Sequence, residues 1–322
     1  MAYSGPMTCP AMLLPLCASL FASQLAVAIP VEPETEAYIA DAMPEQFLDP
    51  DAEQIAIAQD QVERMTVAVS IAEGGPYDFI IDTGSQRTIL SREVAGALAL
   101  DLEDEVKIVS LAGTTVVQTV YVPSLTLGKR SYDSLVSPIF RSANLGADGV
   151  LGLDSLQGQR ILFDFVGKQI SVGDTGEKLR SRSLREIVVT ARRRSGQLIF
   201  TNATIAGVRT SVIIDTGGEL SIGNKALQKR LRLKSSALQQ TSLLDVTGRS
   251  VAADYGVAEE LLIGRARFGV IPIAFADIAP FKALKLDKKP ALFLGMDALR
   301  KFDRVAIDFA NRTIYFLLPE GV

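Results

Sequence analysis

An apolar run ends in Asp-Thr-Gly twice in this chain, as FIIDTGS at residues 79–85 and as VIIDTGG at residues 212–218. The flanking sequence repeats with it. MTVAVSIAEGGPYDFIIDTGS (65–85) and LIFTNATIAGVRTSVIIDTGG (198–218) each alternate apolar and polar residues, turn at a glycine-containing tip, and alternate again. That is the pattern of a β-hairpin. TILSREVAGALAL and LSIGNKALQKRLRL follow, with helical spacing after the N-cap candidates Ser91 and Asn224. Next come VKIVSLAGTTVVQTVYV and TSLLDVTGRSVAADYGV, strand-like on either side of Gly113 and Gly248. Each copy closes on apolar-Gly-apolar-Asp, in DGVLGLDSL and LFLGMDAL, and on a last hairpin, RILFDFVGKQISV and RVAIDFANRTIYF. Asp82 and Asp215 stand 133 positions apart, Asp164 and Asp308 144. The second copy has therefore gained about ten residues, which we place in IAPFKALKLDKKPA (278–291), a Pro- and Lys-rich loop. An ordered series of this length is an internal duplication, so the fold must be one β-rich unit used twice.

The remaining segments frame the repeat. Residues 11–28 are apolar and end in Ala26-Val27-Ala28, which fits a signal peptide over 1–28 and an exported, periplasmic protein; the alternative is an N-terminal membrane anchor. Residues 29–60 carry nine acidic side chains and no basic one, with four prolines, the composition of a disordered spacer or a removable pro-segment. Residues 52–64 have the makings of a short helix at its end. The first lobe is then 61–175, a connector rich in arginine spans 176–195, with EIVV (186–189) as a strand candidate, and the second lobe is 196–322.

Composition narrows the chemistry. The formal charge of −4 argues against a nucleic-acid partner. The chain has no histidine, and its only cysteines are Cys9 and Cys17, so histidine-activated nucleophiles and imidazole or thiolate metal sites are excluded from the mature chain. Catalysis must rest on carboxylates, hydroxyls, lysines or tyrosines, with no cofactor and no metal.

Paired Asp-Thr-Gly triplets, each followed about seventy residues later by apolar-Gly-apolar-Asp, resemble the retropepsin-like aspartic proteases, in a single chain whose two-lobed plan is similar to pepsin-type enzymes. The resemblance covers residues 62–318. It implies an all-β fold of two related lobes with short helices and a cleft between them. It implies that Asp82 and Asp215 form a catalytic dyad at the bottom of that cleft. Thr83 and Thr216 would hydrogen-bond across to the opposite loop, Gly84 and Gly217 would let the backbone pass close behind, and the Gly113 and Gly248 hairpins would be flaps over an extended polypeptide substrate. With both lobes in one chain, a monomer suffices. Candidate cleft linings are Ile89, Val150, Leu151, Phe293 and Leu294, each of which reads first as ordinary core. Asp154 and Asp297 are read as caps of the short helices that follow.

Two carboxyls a few ångströms apart share one proton over a middle pH range, because both cannot ionise readily. The ionised member can take a proton from water while the protonated one polarises a carbonyl. Ser85 follows the first triplet and Gly218 the second. A Ser85 hydroxyl donating to Asp82 would favour its charged form, making Asp82 the base and Asp215 the acid. This reading is an aspartic endopeptidase; the alternatives are a noncatalytic peptide-binding module on the same scaffold and a structural envelope protein.

Overall fold

The computed structural model describes residues 53–59, 65–174, 186–194 and 197–319. The expected signal peptide and most of the acidic segment lie outside them.

The two copies fold alike, strand for strand. In the first, strands Met65–Ile71, Gly74–Ile81, Gly149–Leu151, Ile89–Ser91, Arg130–Phe140, Gly113–Leu127 and Leu102–Ser110 lie in that order across the sheet. In the second, the order is Gln197–Ile205, Val208–Ile214, Ala291–Leu294, Ile222–Gly223, Ala266–Phe275, Ser250–Ile263 and Gln239–Leu244. Each sheet also pairs its first strand with the long one, closing on itself. The strand that ends in Asp-Thr-Gly runs parallel to the strand of the closing motif in both lobes, Ile80 opposite Val150 and Ile213 opposite Phe293. The apolar triplets are buried on both faces, which is why they read as continuous runs. Ser91 and Asn224 cap their helices as expected, accepting from the N–H of Val94 and of Leu227.

The closing hairpins join the lobes. Gln159–Asp164 pairs antiparallel with Arg304–Asp308, so one sheet is shared by both copies. At its two ends the same ion pair is written twice. Arg160 Nη2 lies 2.8 Å from Asp308 Oδ2, and Arg304 Nε lies 2.7 Å from Asp164 Oδ2. Asp308 is fully buried and also accepts from the N–H and side-chain amide of Asn311, so its charge is met on several sides. One apolar core runs through both lobes beneath this sheet, from Val67 and Phe163 to Val305 and Phe316.

Three expectations need correction. The short helix expected within 52–64 is a strand where that stretch is described: Glu53–Gln59 pairs with Gln169–Asp174 on one edge and Met65–Ile71 on the other. Its counterpart is Glu186–Thr190, inside the expected connector, which pairs with Thr313–Leu317. Glu53 and Glu186 are also 133 positions apart, so the duplication starts before residue 61, where the first lobe was expected to begin, and both lobes open on this strand. The Pro- and Lys-rich insertion is no plain loop either. It forms the helix Ala279–Ala283, with proline in the first turn, where the missing N–H costs nothing, and with Phe281 and Leu284 buried. Asp154 and Asp297 are not N-caps, since Gly152 and Gly295 hold those positions without a side-chain bond. They anchor the chain after the triplets instead. Asp154 accepts from the backbone and hydroxyl of Thr88, and Asp297 from the hydroxyl of Ser221, the matching residue of the second copy.

Candidate active site

Both triplets leave their strands at the same point and meet. Asp82 and Asp215 donate their own N–H to Leu151 and Leu294, each at 3.0 Å, so each loop is held by its parallel neighbour. Thr83 and Thr216 then cross over. The Thr83 hydroxyl donates to the Ile214 carbonyl at 2.8 Å and accepts from the Thr216 N–H at 3.2 Å. The Thr216 hydroxyl donates to the Ile81 carbonyl at 2.7 Å and accepts from the Thr83 N–H at 3.1 Å. Both threonines are buried, so each bond satisfies a group that water does not reach.

The crossing brings the two carboxyls face to face, hydrogen-bonded to one another, partly exposed on the floor of a cleft of ≈ 660 Å³ and enclosed by protein elsewhere. The glycines permit this approach. A Cβ at Gly217 would stand 2.2 Å from Asp82 Cγ, and one at Gly84 2.7 Å from an Asp215 carboxyl oxygen, contacts that no side chain tolerates. Gly152 and Gly295, in the closing motifs, do the same for the chain after the triplets, where a Cβ would strike the backbone of Arg87 or Leu220.

The two acids are not equivalent. Burial raises Asp82 above the usual aspartate range, opposed by the N–H groups of Gly84 (2.7 Å) and Ser85 (3.1 Å), by the bond from Asp215 and by the Gly217 N–H. Asp215 is raised further: burial, the negative charge of Asp82 and the hydrogen bond it donates to Asp82 all favour its protonated form, against weaker donation from Gly218 (3.2 Å) and Gly217. The order is the one anticipated from Ser85, but the cause differs. The Ser85 hydroxyl donates to the Arg87 carbonyl at 2.7 Å, and only its backbone N–H serves Asp82.

Gly113 and Gly248 sit at the tips of hairpins that reach over the cleft and cross. Leu111, two residues before Gly113, packs into the apolar cluster of the second lobe, with Ile222, Leu243, Ile278, Leu284 and Phe293. Val246, two residues before Gly248, packs into that of the first, with Ile80, Ile89, Phe140, Leu145 and Val150. The tips are tied together as well. Asp245 accepts from the Ala112 N–H at 2.6 Å and the Thr247 N–H at 2.6 Å. Burial opposes its ionisation, but donation from Thr247, the Ala112 N–H and Ser110 outweighs it and holds the carboxyl below the usual range. The Leu111 carbonyl accepts from Ala279 at 3.1 Å, so the helix in the insertion supports the first tip.

Of the expected linings, Ile89, Val150 and Phe293 face the cleft, whereas Leu151 and Leu294 are wholly core. Several residues of the site had no sequence signal, among them Glu219 and Gln197 on the cleft wall and Asp245, which ties the tips. Gln197 donates to the Gly84 carbonyl at 2.7 Å, bracing the first triplet from the second lobe. Its position opposite the triplet could be found only once the hairpins were docked.

Residues 67–155 and 201–298 each match the aspartyl protease family, one match per lobe. The chain belongs to that family. Comparison with curated proteins gave no match. Membership supports a protease-type function, and each match runs from the first strand of a repeated sheet to the short helix that follows its closing motif. Each match contains one Asp-Thr-Gly and one closing motif, so this member of the family carries the pattern complete in both halves.

Proposed function

We propose that this chain is an aspartic endopeptidase that hydrolyses peptide bonds of extended polypeptide segments, with Asp82 as base and Asp215 as acid. The observation that carries the reading is the hydrogen-bonded carboxyl pair on the cleft floor, one member better supplied with N–H donors than the other. Water held between them gives a proton to ionised Asp82 as its oxygen bonds to the scissile carbonyl carbon. Asp215 gives its proton to the carbonyl oxygen, leaving a neutral diol. The diol collapses when Asp82 protonates the amide nitrogen and Asp215 recovers a proton from a hydroxyl. The C–N bond breaks, and the pair is again singly protonated. No covalent intermediate forms.

The two apolar pockets, one per lobe, suit apolar side chains on either side of the scissile bond, and the crossed hairpins suit an extended backbone beneath them. Both lobes come from one chain, so we take the working unit as a monomer. Residues 11–28 support export to the periplasm with cleavage after Ala28, which the N-terminal sequence of the mature protein tests. Among the described residues no helix is long and apolar enough to cross a membrane.

The deciding experiment incubates the full chain with a mixed peptide library between pH 4 and pH 7.5, beside Asp82→Asn and Asp215→Asn. Cleavage by the parent alone supports the endopeptidase. Equal peptide binding by all three without cleavage supports a noncatalytic module instead.

A further inference from the structure

The duplication supplies an internal control for the cleft walls. Counted from the triplets, Arg87 of the first lobe corresponds to Leu220 of the second. Counted from the hairpin tips, Lys107 corresponds to Ser242 and Val109 to Leu244. All six line the cleft. The walls therefore match in position and differ in charge. The first lobe presents two cations where the second presents leucine and serine.

Among the described residues, no ion pair ties these cations into the fold. Both side chains are exposed. Among the described residues, and apart from the candidate dyad, the one carboxylate on the cleft wall is Glu219, and Arg300 engages it at 2.7 Å. On the opposite wall Leu220 and Leu244 are 38% and 61% exposed, apolar surface directed at the same space. A floor that carries one negative charge repels an acidic peptide. Two cations on one wall, without an ion-pair partner among the described residues, offset that repulsion on one side only.

We infer that the cleft selects substrates asymmetrically: a segment with an acidic side chain lying against Arg87 and Lys107, and an apolar one lying against Leu220 and Leu244. This deepens the endopeptidase reading and rests on it. The selection is electrostatic, so it weakens as salt rises.

The test uses the full chain and synthetic peptides that share an apolar pair at the scissile bond and carry Glu, Ala or Lys at each flanking position in turn. The parent should favour Glu over Ala about five- to tenfold in kcat/KM at one position, on one side of the bond, and disfavour Lys there. In Arg87→Leu with Lys107→Ser, which writes the second lobe's residues into the first, that ratio should fall to near one. Arg87→Glu with Lys107→Glu should reverse it in favour of Lys, which a merely structural effect cannot do. Equal cleavage of the Glu, Ala and Lys peptides by the parent, or no reversal in the charge swap, overturns the inference while leaving the endopeptidase intact. If the parent cleaves nothing, the endopeptidase reading fails, and peptide binding measured by fluorescence anisotropy decides the wall. Tighter binding of Glu peptides that reverses in the swap keeps the selection; equal binding ends it.

Discussion

The two lobes share strand order, crossed threonines, close-approach glycines and a twin ion pair, yet they treat their aspartates, their hairpin tips and their cleft walls differently. What is common lies where the backbone must return to the same place twice. What differs lies where a side chain faces the cleft. The comparison teaches that symmetry here belongs to the scaffold and asymmetry to the chemistry.

The largest effect breaks the aspartate pair. Asp82→Asn and Asp215→Asn should each lower kcat/KM about a thousandfold, within the range for removing a general acid or base. The same changes should raise stability at neutral pH. Both carboxyls are raised in the folded state, so the folded chain holds their protons more tightly. Their contribution is fully favourable below the ordinary aspartate range and is lost as pH rises through the raised values. Asparagine removes that loss. Thermal denaturation at pH 4 and pH 7 checks it: the variants should gain on the parent at pH 7 and lose that advantage at pH 4. The parent's pH–rate profile should be a bell with both limbs above the usual carboxylate range, the upper one displaced further.

Breaking the threonine crossing tests the symmetric part. Thr83→Val and Thr216→Val each leave a buried N–H and carbonyl without a partner, and each should cost about 1–3 kcal/mol in denaturant unfolding. Similar losses from the two are the expected result. A large difference between them would show that the lobes do not share the crossing equally.

The tips sharpen the asymmetric part. Asp245→Ala removes the acceptor for Ala112 and Thr247, whereas Ser110→Ala, at the matching position, removes only a hydroxyl that donates to the Gly113 carbonyl at 3.1 Å and also supports Asp245. Hydrogen exchange should quicken at residues 110–113 and 245–249 in the first variant, with KM raised about threefold to tenfold, and much less in the second. The carboxyl is held below the ordinary range, so its link contributes above that range and is lost only as pH falls through the lowered value. The tips therefore stay tied across the pH window in which the aspartate pair is singly protonated.

The smallest expected effect concerns Ser85. Its hydroxyl bonds the Arg87 carbonyl, so Ser85→Ala should leave both limbs of the pH–rate profile in place and cost about 1 kcal/mol of stability. A displaced lower limb would restore a direct role beside Asp82.

The fold class and the meeting of Asp82 with Asp215 were legible because a duplication repeats its punctuation. Hairpin tips, N-caps and closing glycines recur in order, and each is a local signal. The strand Glu53–Gln59 was hidden by its neighbourhood, an acidic and proline-rich stretch, although its alternation and its 133-residue spacing from Glu186 were both present. A fragment begun at residue 61 would lack this strand and bare two sheet edges. The helix in 278–291 was masked by prolines and lysines, because its stability comes from Phe281 and Leu284 packing rather than from local preference. The Ser85 bond depended on a rotamer, and the crossing of the tips on contacts between residues more than a hundred positions apart. Neither leaves a mark on a single strand.

That crossing has a consequence for how such a chain can change. Leu111 completes a pocket built by the other half, and Val246 returns the arrangement. A mutation meant to widen one recess must be matched at the far end of the gene, or the roof no longer fits the wall. The halves, once copies, are thereby bound to drift in step, and altering what either accepts is a two-site problem from the outset.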